Sequence, residues 1–228
     1  LPEDDQAFTC LALREADRYA IHRGRLITSA GGDMAIDTFD QHMQEHQVPH
    51  STALHALLDG EPYLVGPLAR LNLNHGQFPQ PVQALLDELP IRFPSRNMFH
   101  SIVARAVEIH FALWEARRLL SDYERPAQPF VEAPVRAGDG VGCTEAPRGV
   151  LWHRYTLDER GLVQAARIVP PTSQNQARME EDLRHSLEHA GLNRPEQALR
   201  LHGETVIRNY DPCISCSTHF LDLKVNRR

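Results

Sequence analysis

Hydrophobic side chains recur every three or four residues along several stretches of the chain, which is the period of an α-helix with one buried face. This pattern predicts helices over residues 5–21, 40–46, 80–89 and 95–120, and two more over 172–190 and 193–209. Ser95 is expected to cap the longest of them. One continuous face of that helix is expected to carry Ile102, Val103, Ala106, Ile109, His110, Leu113, Ala116 and Leu120.

Strand patterns are fewer. The β-type runs 150–157 and 162–169 flank the turn 158–161 and predict a hairpin. A short strand, turn and strand are expected over 24–37, an extended segment over 61–67, and a long irregular connection over 125–147, which is rich in proline and glycine. The expected fold class is therefore mainly α with a small β component, arranged as a single domain over residues 1–228.

Composition excludes several classes of protein. With 228 residues and 42% hydrophobic content, the chain is long enough to bury a core, which excludes a disordered segment. The 24 basic and 30 acidic residues give a formal charge of −6, which argues against a nucleic-acid partner. Apolar runs are too short for a membrane span, and the first residues do not resemble a signal peptide. We expect a cytoplasmic protein.

The strongest chemical motif is the segment 211–219, Asp-Pro-Cys-Ile-Ser-Cys-Ser-Thr-His. Two thiolates three residues apart can bind one metal ion from a turn, and His219 adds a nitrogen ligand. On spacing alone, Cys213 and Cys216 suit zinc binding and redox chemistry equally well. Cys10 and Cys143 are isolated and do not complete a four-ligand zinc site.

A second motif is the glycine-rich segment 140–149, which contains Glu145, Pro147 and Arg148. Glycine permits close approach of the backbone, and an arginine in a tight turn can present fixed donors to a ligand. By itself such an arginine is more often a surface turn residue. Because a strand rather than a helix follows, the segment is not a dinucleotide-binding fingerprint.

Together the two motifs resemble the large subunit of nickel-iron hydrogenases. The family signature Asp-Pro-Cys-x-x-Cys-x-x-His is matched over 211–219, and the family element Glu-Ala-Pro-Arg-Gly is matched over 145–149. The stretches 48–51, 63–70, 168–173 and 208–213 are similar to the cytoplasmic, sulfhydrogenase-like group of these enzymes, which is linked to a nicotinamide or deazaflavin carrier. The resemblance spans most of residues 45–219.

The resemblance implies roles for individual residues. Cys213 would be a terminal nickel thiolate, and Cys216 a thiolate bridging nickel and iron. The iron would also carry diatomic ligands. Arg148, with Pro147 and supported by Glu145, would lie over the open coordination site, and Asp211 would orient Arg148. The implied reaction is heterolytic cleavage of H2, with Cys213 or Arg148 accepting the proton. His219 would bind a magnesium or similar ion.

The resemblance also implies partners: an iron-sulfur small subunit, diaphorase-type subunits and a maturation endopeptidase that removes the tail 220–228. In the family, a second cysteine pair and a proton-relay glutamate lie near the N-terminus of a chain about twice as long. Neither is present here, and the chain begins with Leu1. We therefore expect a C-terminal fragment that neither assembles the nickel-iron centre nor turns over H2 by itself.

Two other functions stay open. One is a metal-free relative of the complex I type, which serves as a quinone-site and interaction subunit, although the retained cysteine pair argues against it. The other is a simple zinc or redox module. His42, His46 and His50 recur every fourth residue, but Pro49 interrupts the series, and we interpret these histidines as surface residues without a ligand role.

Overall fold

A computed structural model of the chain describes residues 1–213. Within this range the helices alternate with short strands. The two helices predicted over the last part of the chain are confirmed. Each begins directly after a proline, at Pro171 and at Glu196, because the fixed backbone angle of proline favours the start of a helix. The helices are α1 Phe39–His42, α2 Pro67–Asn74, α3 Gln80–Glu88, α4 Ser101–Ser121, α5 Pro171–Ala190 and α6 Glu196–Arg208.

The first sheet has the strand order β3-β2-β1-β6 and overturns the helix predicted over 5–21. Its strands are β1 Thr9–Arg14, β2 Arg25–Thr28, β3 Asp33–Met34 and β6 Tyr63–Leu64. Leu11, Ala12 and Leu13 are consecutive and all buried, because this strand is covered on both faces. Helical spacing of the neighbouring apolar residues was therefore coincidental. The strands predicted over 24–37 and the extended segment 61–67 are confirmed.

A second sheet is the antiparallel hairpin of β4 Met43–Gln47 and β5 Leu54–Leu58. The helix predicted over 40–46 is wrong for most of its length, since α1 ends at His42 and the chain continues as a strand. His46 lies opposite His55 in this hairpin. Strand β5 packs against α5.

The third sheet has the order β7-β8-β9, formed by β7 Gly138–Ala146, β8 Gly149–Leu157 and β9 Val163–Val169. The predicted hairpin is confirmed as β8 and β9. The prediction of an irregular connection over 125–147 is wrong at its end, where glycines 138, 140 and 142 are part of β7. Cross-strand pairing with β8 outweighs the low strand propensity of glycine.

The hydrophobic core lies between these sheets and the helices. Trp152 on β8 is fully buried in the largest cluster, and its indole Nε1 donates to the Ile36 carbonyl at 2.7 Å. A second cluster joins α2, α3 and α4 around Tyr19, Phe78 and Phe111. The fold is thus only partly as predicted: three small sheets accompany the helices, where the sequence indicated little more than one hairpin.

Helix α4 buries a different face from the one predicted. Ala104, Val107 and Phe111 are buried, whereas Ile109, Leu113 and most of the predicted face lie at the surface. Ser95 does not cap α4, because a 3₁₀ turn over Met98–His100 precedes the helix and is capped by the Asn97 side chain. Among the described helices, none is both long and apolar enough to cross a membrane.

Candidate metal centre

A two-residue turn presents Pro147 and Arg148 at the end of the β7–β8 hairpin. The register pairs Ala146 with Gly149, so only these two residues lie between the strands. Gly149 has a φ of +132°, and a Cβ added there would lie 2.5 Å from Val65 Cγ2. Gly66 faces it with a φ of +113°, where a Cβ would lie 2.8 Å from the Arg148 carbonyl. The turn is therefore seated directly on the junction between β6 and α2.

Arg148 contacts Asp211, as the resemblance implied. Its Nε donates to the Asp211 backbone carbonyl at 2.5 Å and lies 3.2 Å from the carboxylate Oδ2. Asp211 is in the left-handed region with a φ of +49°, which brings both of its oxygens toward the guanidinium. Within the described part of the chain, both side chains of the pair are partly exposed.

The segment that leads to Cys213 is also held by hydrogen bonds to α4 and α5. Ser101 Oγ on α4 donates to the Asn209 carbonyl at 2.8 Å, and the Tyr210 hydroxyl donates to Asp182 on α5 at 2.8 Å. The Cys213 backbone N–H donates to Thr172 Oγ1, also on α5, at 3.4 Å. Helices α4 and α5 thus place Cys213 close in sequence and space to the Arg148–Asp211 pair.

The remaining predicted ligands, Cys216 and His219, lie outside the described residues, as does the tail 220–228. Glu145 and Pro147 are described and lie next to Arg148 on β7 and in the turn. Cys143, which sequence position alone places near the turn, lies in the core on β7, opposite Trp152. Burial raises the pKa of the Cys143 thiol and raises that of Cys10 to about 11, so neither is a ready thiolate.

Behind the turn, a buried guanidinium organises the site. Arg70 on α2 is 3% exposed and binds Glu108 on α4 through two contacts of 2.6 Å. Its Nη1 donates to Glu145 Oε2 at 2.8 Å and to the Ala146 carbonyl at 2.9 Å, while Nη2 donates to the Pro147 carbonyl at 3.1 Å. Arg70 therefore fixes the backbone that carries Arg148.

Burial and charge act against each other in this network. Burial raises the pKa of Glu145, and the Arg70 charge opposes that rise only in part. Burial alone lowers the pKa of Arg70, but Glu108 and Glu145 outweigh it, so the pKa of Arg70 lies well above its usual value. Burial, with the Glu108 charge, also raises the pKa of Tyr19, whose hydroxyl donates to Glu108 at 2.5 Å. In the sequence, Arg70 and Glu108 stand amid apolar positions, which is equally compatible with buried support for the site and with a solvated role. The sequence does not indicate that the two residues pair.

A cavity of about 470 Å³ opens between α4 and the turn. Charged and polar groups line one side of it, and apolar side chains of α4 line the other. The polar side comprises Arg70, Arg105, Glu108, Glu145 and Asp211, together with Pro147 of the turn. An apolar pocket with a few convergent polar groups is the usual form of a site for a small ligand.

The described donors fit one side of a thiolate-bound metal centre. Cys213, on a segment anchored by two helices, would supply a sulfur ligand of the soft type that suits nickel. A positively charged guanidinium lies close by, where it can interact with anionic ligands of a metal. A Cβ added at Gly140 or Gly142 would have no atom of the described residues within 4 Å, so no close approach requires glycine at either position.

The chain is similar to characterised hydrogenases over most of its length. Residues 39–219 match the nickel-dependent hydrogenase family. Sulfhydrogenase 1 subunit alpha of Pyrococcus furiosus is 34% identical over 97% of this chain and 52% of that protein. The NAD-reducing hydrogenase HoxS subunit beta of Cupriavidus necator is 37% identical over 69% of this chain and 34% of that protein.

Solved structures agree. The crystal structure of an NAD⁺-reducing [NiFe]-hydrogenase in the H2-reduced state has a TM-score of 0.80 and 26% identity, covering 95% of this chain and 51% of that one. The present chain thus spans about half the length of that structure and of the Pyrococcus relative. Taken with the motifs at the turn and at Cys213, these similarities show that the chain belongs to the nickel-dependent hydrogenase family.

Proposed function

We propose that the chain is part of the catalytic large subunit of a cytoplasmic nickel-iron hydrogenase that cleaves H2 reversibly and heterolytically and passes the electrons to a soluble carrier. The family match over 39–219 supports the reaction. The similarity to sulfhydrogenase alpha and to an NAD-reducing hydrogenase supports the carrier-linked type. The observation that carries the proposal is the Arg148–Asp211 contact on the segment that ends at Cys213.

In this proposal Cys213 and Cys216 would hold the nickel-iron centre through their thiolates, and His219 would bind a magnesium or similar ion. The nickel-iron centre, with diatomic ligands on iron, supplies the Lewis acidity that polarises H2. Soft thiolate sulfur is the appropriate donor for such a centre.

Proton acceptance falls to Cys213 rather than Arg148. A guanidinium offers N–H donors and no lone pair that can accept a proton, and the Nε of Arg148 lies 3.2 Å from the Asp211 carboxylate. A metal-bound thiolate, by contrast, keeps lone pairs that can accept a proton. Arg148 instead presents fixed N–H donors and positive charge over the reacting position, where they stabilise developing negative charge. Pro147 and the Arg70 contacts restrict the movement of that guanidinium.

The proposed partners follow from the same relatives: an iron-sulfur small subunit to take the electrons and diaphorase-type subunits to reduce the carrier. The tail 220–228 is proposed to be removed by a maturation endopeptidase. We further propose that residues 1–228 form a single domain that supplies half of the metal ligands and is inactive alone.

The proposed function is tested by Arg148→Lys in the intact subunit, matured with its partners. Lysine keeps the charge but loses the planar fork and the Nε donor that binds Asp211. We expect H2-dependent dye reduction to fall by roughly 100-fold, with nickel and iron content unchanged.

Arg154→Lys is the matched control. Arg154 also lies 3.2 Å from a carboxylate, that of Asp40, but it is on β8 away from the turn. We expect that variant to keep full activity. Equal activity of the two variants, each with a full complement of metal, would contradict the role of Arg148.

A further inference from the structure

Three potential metal ligands converge at a place that includes none of the residues assigned to the nickel-iron centre, and one of them, His50, lies in the family-like stretch 48–51. His50 follows β4, His55 lies on β5, and Glu180 is on α5. His50 Nε2 is 2.9 Å and His55 Nε2 is 3.1 Å from the same Glu180 oxygen, Oε1. All three ligand atoms lie within 4.8 Å of one another. Glu180 is eight residues beyond Thr172 on α5, roughly 12 Å along the helix from the residue that holds Cys213.

The hydrogen bond on the far side of His55 determines which of its nitrogens can bind a cation. His55 Nδ1 is 3.2 Å from the Ala53 carbonyl, which can only accept, so Nδ1 carries the hydrogen. In the neutral ring, Nε2 then directs a lone pair at the Glu180 carboxylate. Two lone-pair donors that face each other require a cation between them, either a proton or a metal ion. Metal-bound histidines characteristically donate their second N–H to a backbone carbonyl in this way.

The spacing and burial suit a small tetrahedral ion. Zinc–nitrogen and zinc–oxygen bonds of about 2.1 Å place neighbouring ligands roughly 3.4 Å apart, close to both observed separations. His55 is 1% exposed and therefore rigidly placed, whereas the His50 side chain is 63% exposed and can adjust to the ion. Glu180 is also partly open to solvent, so an ion can enter and a water can complete the fourth position.

We propose that His50, His55 and Glu180 bind a Zn²⁺ ion that cross-links the β4–β5 hairpin to α5. Two imidazoles and one carboxylate, with a water as fourth ligand, form a common zinc ligand set. The ligands come from positions 125 and 130 residues apart in the chain, so the ion joins elements that the backbone connects only distantly. Because α5 also carries Thr172, the cross-link stabilises the helix against which Cys213 is held.

The test is zinc binding to the full chain in which Cys213 and Cys216 are both replaced by Ser, so that thiolates do not contribute. We expect one Zn²⁺ per chain, measured by competition with a chromogenic chelator. Co²⁺, used as a spectroscopic substitute, should show visible bands of tetrahedral nitrogen and oxygen coordination that one equivalent of Zn²⁺ abolishes. In the same background, His50→Ala and Glu180→Gln should each weaken zinc binding by roughly 10- to 100-fold.

His42→Ala is the matched control. His42 is a surface histidine near the same hairpin and lies 3.0 Å from the Asp59 carboxylate, and no third ligand among residues 1–213 joins that pair. It should leave zinc affinity unchanged. Because His50 and Glu180 are at the surface, their variants should retain the wild-type circular dichroism spectrum. The proposal is overturned if the serine background binds no zinc, or if His50→Ala and Glu180→Gln bind it as tightly as the background does. In either case the cluster is a proton-bridged ion pair.

Discussion

At the scale of single residues, the site depends on guanidinium groups placed by carboxylates. Arg148 is oriented by Asp211 from one side, and Arg70 holds the carbonyls of the turn from the other. The family resemblance implies the first contact, since each of the two residues belongs to one of its two motifs. The second involves residues of three distant elements, so no local pattern indicates it.

Glu108→Gln tests the buried network. Arg70 would keep its contact to Glu145 but lose one of its two compensating charges in a place that water does not reach. Removing one partner of a buried ion pair costs about 3–5 kcal/mol, and the remaining glutamate together with the new amide reduces this, so we expect a loss of about 2 kcal/mol in the free energy of unfolding. Urea unfolding of the chain measures it.

Glu204→Gln provides the comparison. Glu204 pairs with Arg200 and Arg208 on the exposed side of α6, where such contacts contribute less than about 0.5 kcal/mol. If the two variants unfold at the same urea concentration, the Arg70 network does not stabilise the fold.

At the scale of secondary structure, local spacing predicted the helices well where one face alone is buried. Helix α3 and the paired helices α5 and α6 are confirmed. The predictions failed where neighbouring strands determine the structure. Residues 9–14 have helical spacing by chance and become β1 because β2 and β6 pair with them on either side. Glycine-rich β7 is likewise held in place by its pairing with β8.

Gly149→Ala tests the seating of the turn. A Cβ at this position would lie 2.5 Å from Val65 Cγ2 and 2.8 Å from the Gly66 nitrogen, with φ in a region that alanine rarely adopts. The clash and the strained backbone together should destabilise the chain by at least about 2 kcal/mol. In the intact enzyme, activity should fall even at temperatures where the protein remains folded, because the turn carries Arg148.

Gly140→Ala is the control on the same strand, since nothing lies within 4 Å of an added Cβ there. We expect it to be neutral or slightly stabilising in thermal unfolding. A thermal midpoint for Gly149→Ala equal to that of Gly140→Ala would show that the turn can shift without cost.

At the scale of the whole molecule, the described structure brings Cys213, one ligand of the proposed metal centre, together with the Arg148–Asp211 pair. Helices α4 and α5 and the β7–β8 turn meet around the segment that leads to Cys213. The chain covers 52% of the Pyrococcus relative, and it contains one Cys-x-x-Cys pair.

Metal analysis of the chain alone and of the intact subunit matured with its partners tests this division. We expect nickel and iron in the intact subunit and neither in the chain alone, because four thiolates are required to hold both metals in the proposed centre. The chain alone should show no H2-dependent dye reduction. Nickel at full occupancy in the chain alone, accompanied by activity, would contradict the proposal.

The sequence by itself determined the family and indicated the chemistry proposed for the site, because both depend on contiguous motifs: the segment 145–149 and the segment that begins at Asp211. It also determined the helices with a single buried face and the β8–β9 hairpin, whose signals lie within a few residues. Only the tertiary structure decided that residues 9–14 form a strand and which face of α4 is buried. The contacts of Arg70 with Glu108 and Glu145 also arise only in the folded chain. The same is true of the cluster of His50, His55 and Glu180. Those outcomes depend on contacts between residues far apart in the chain. The free energy of such contacts is not reflected in the spacing of hydrophobic residues within any one segment.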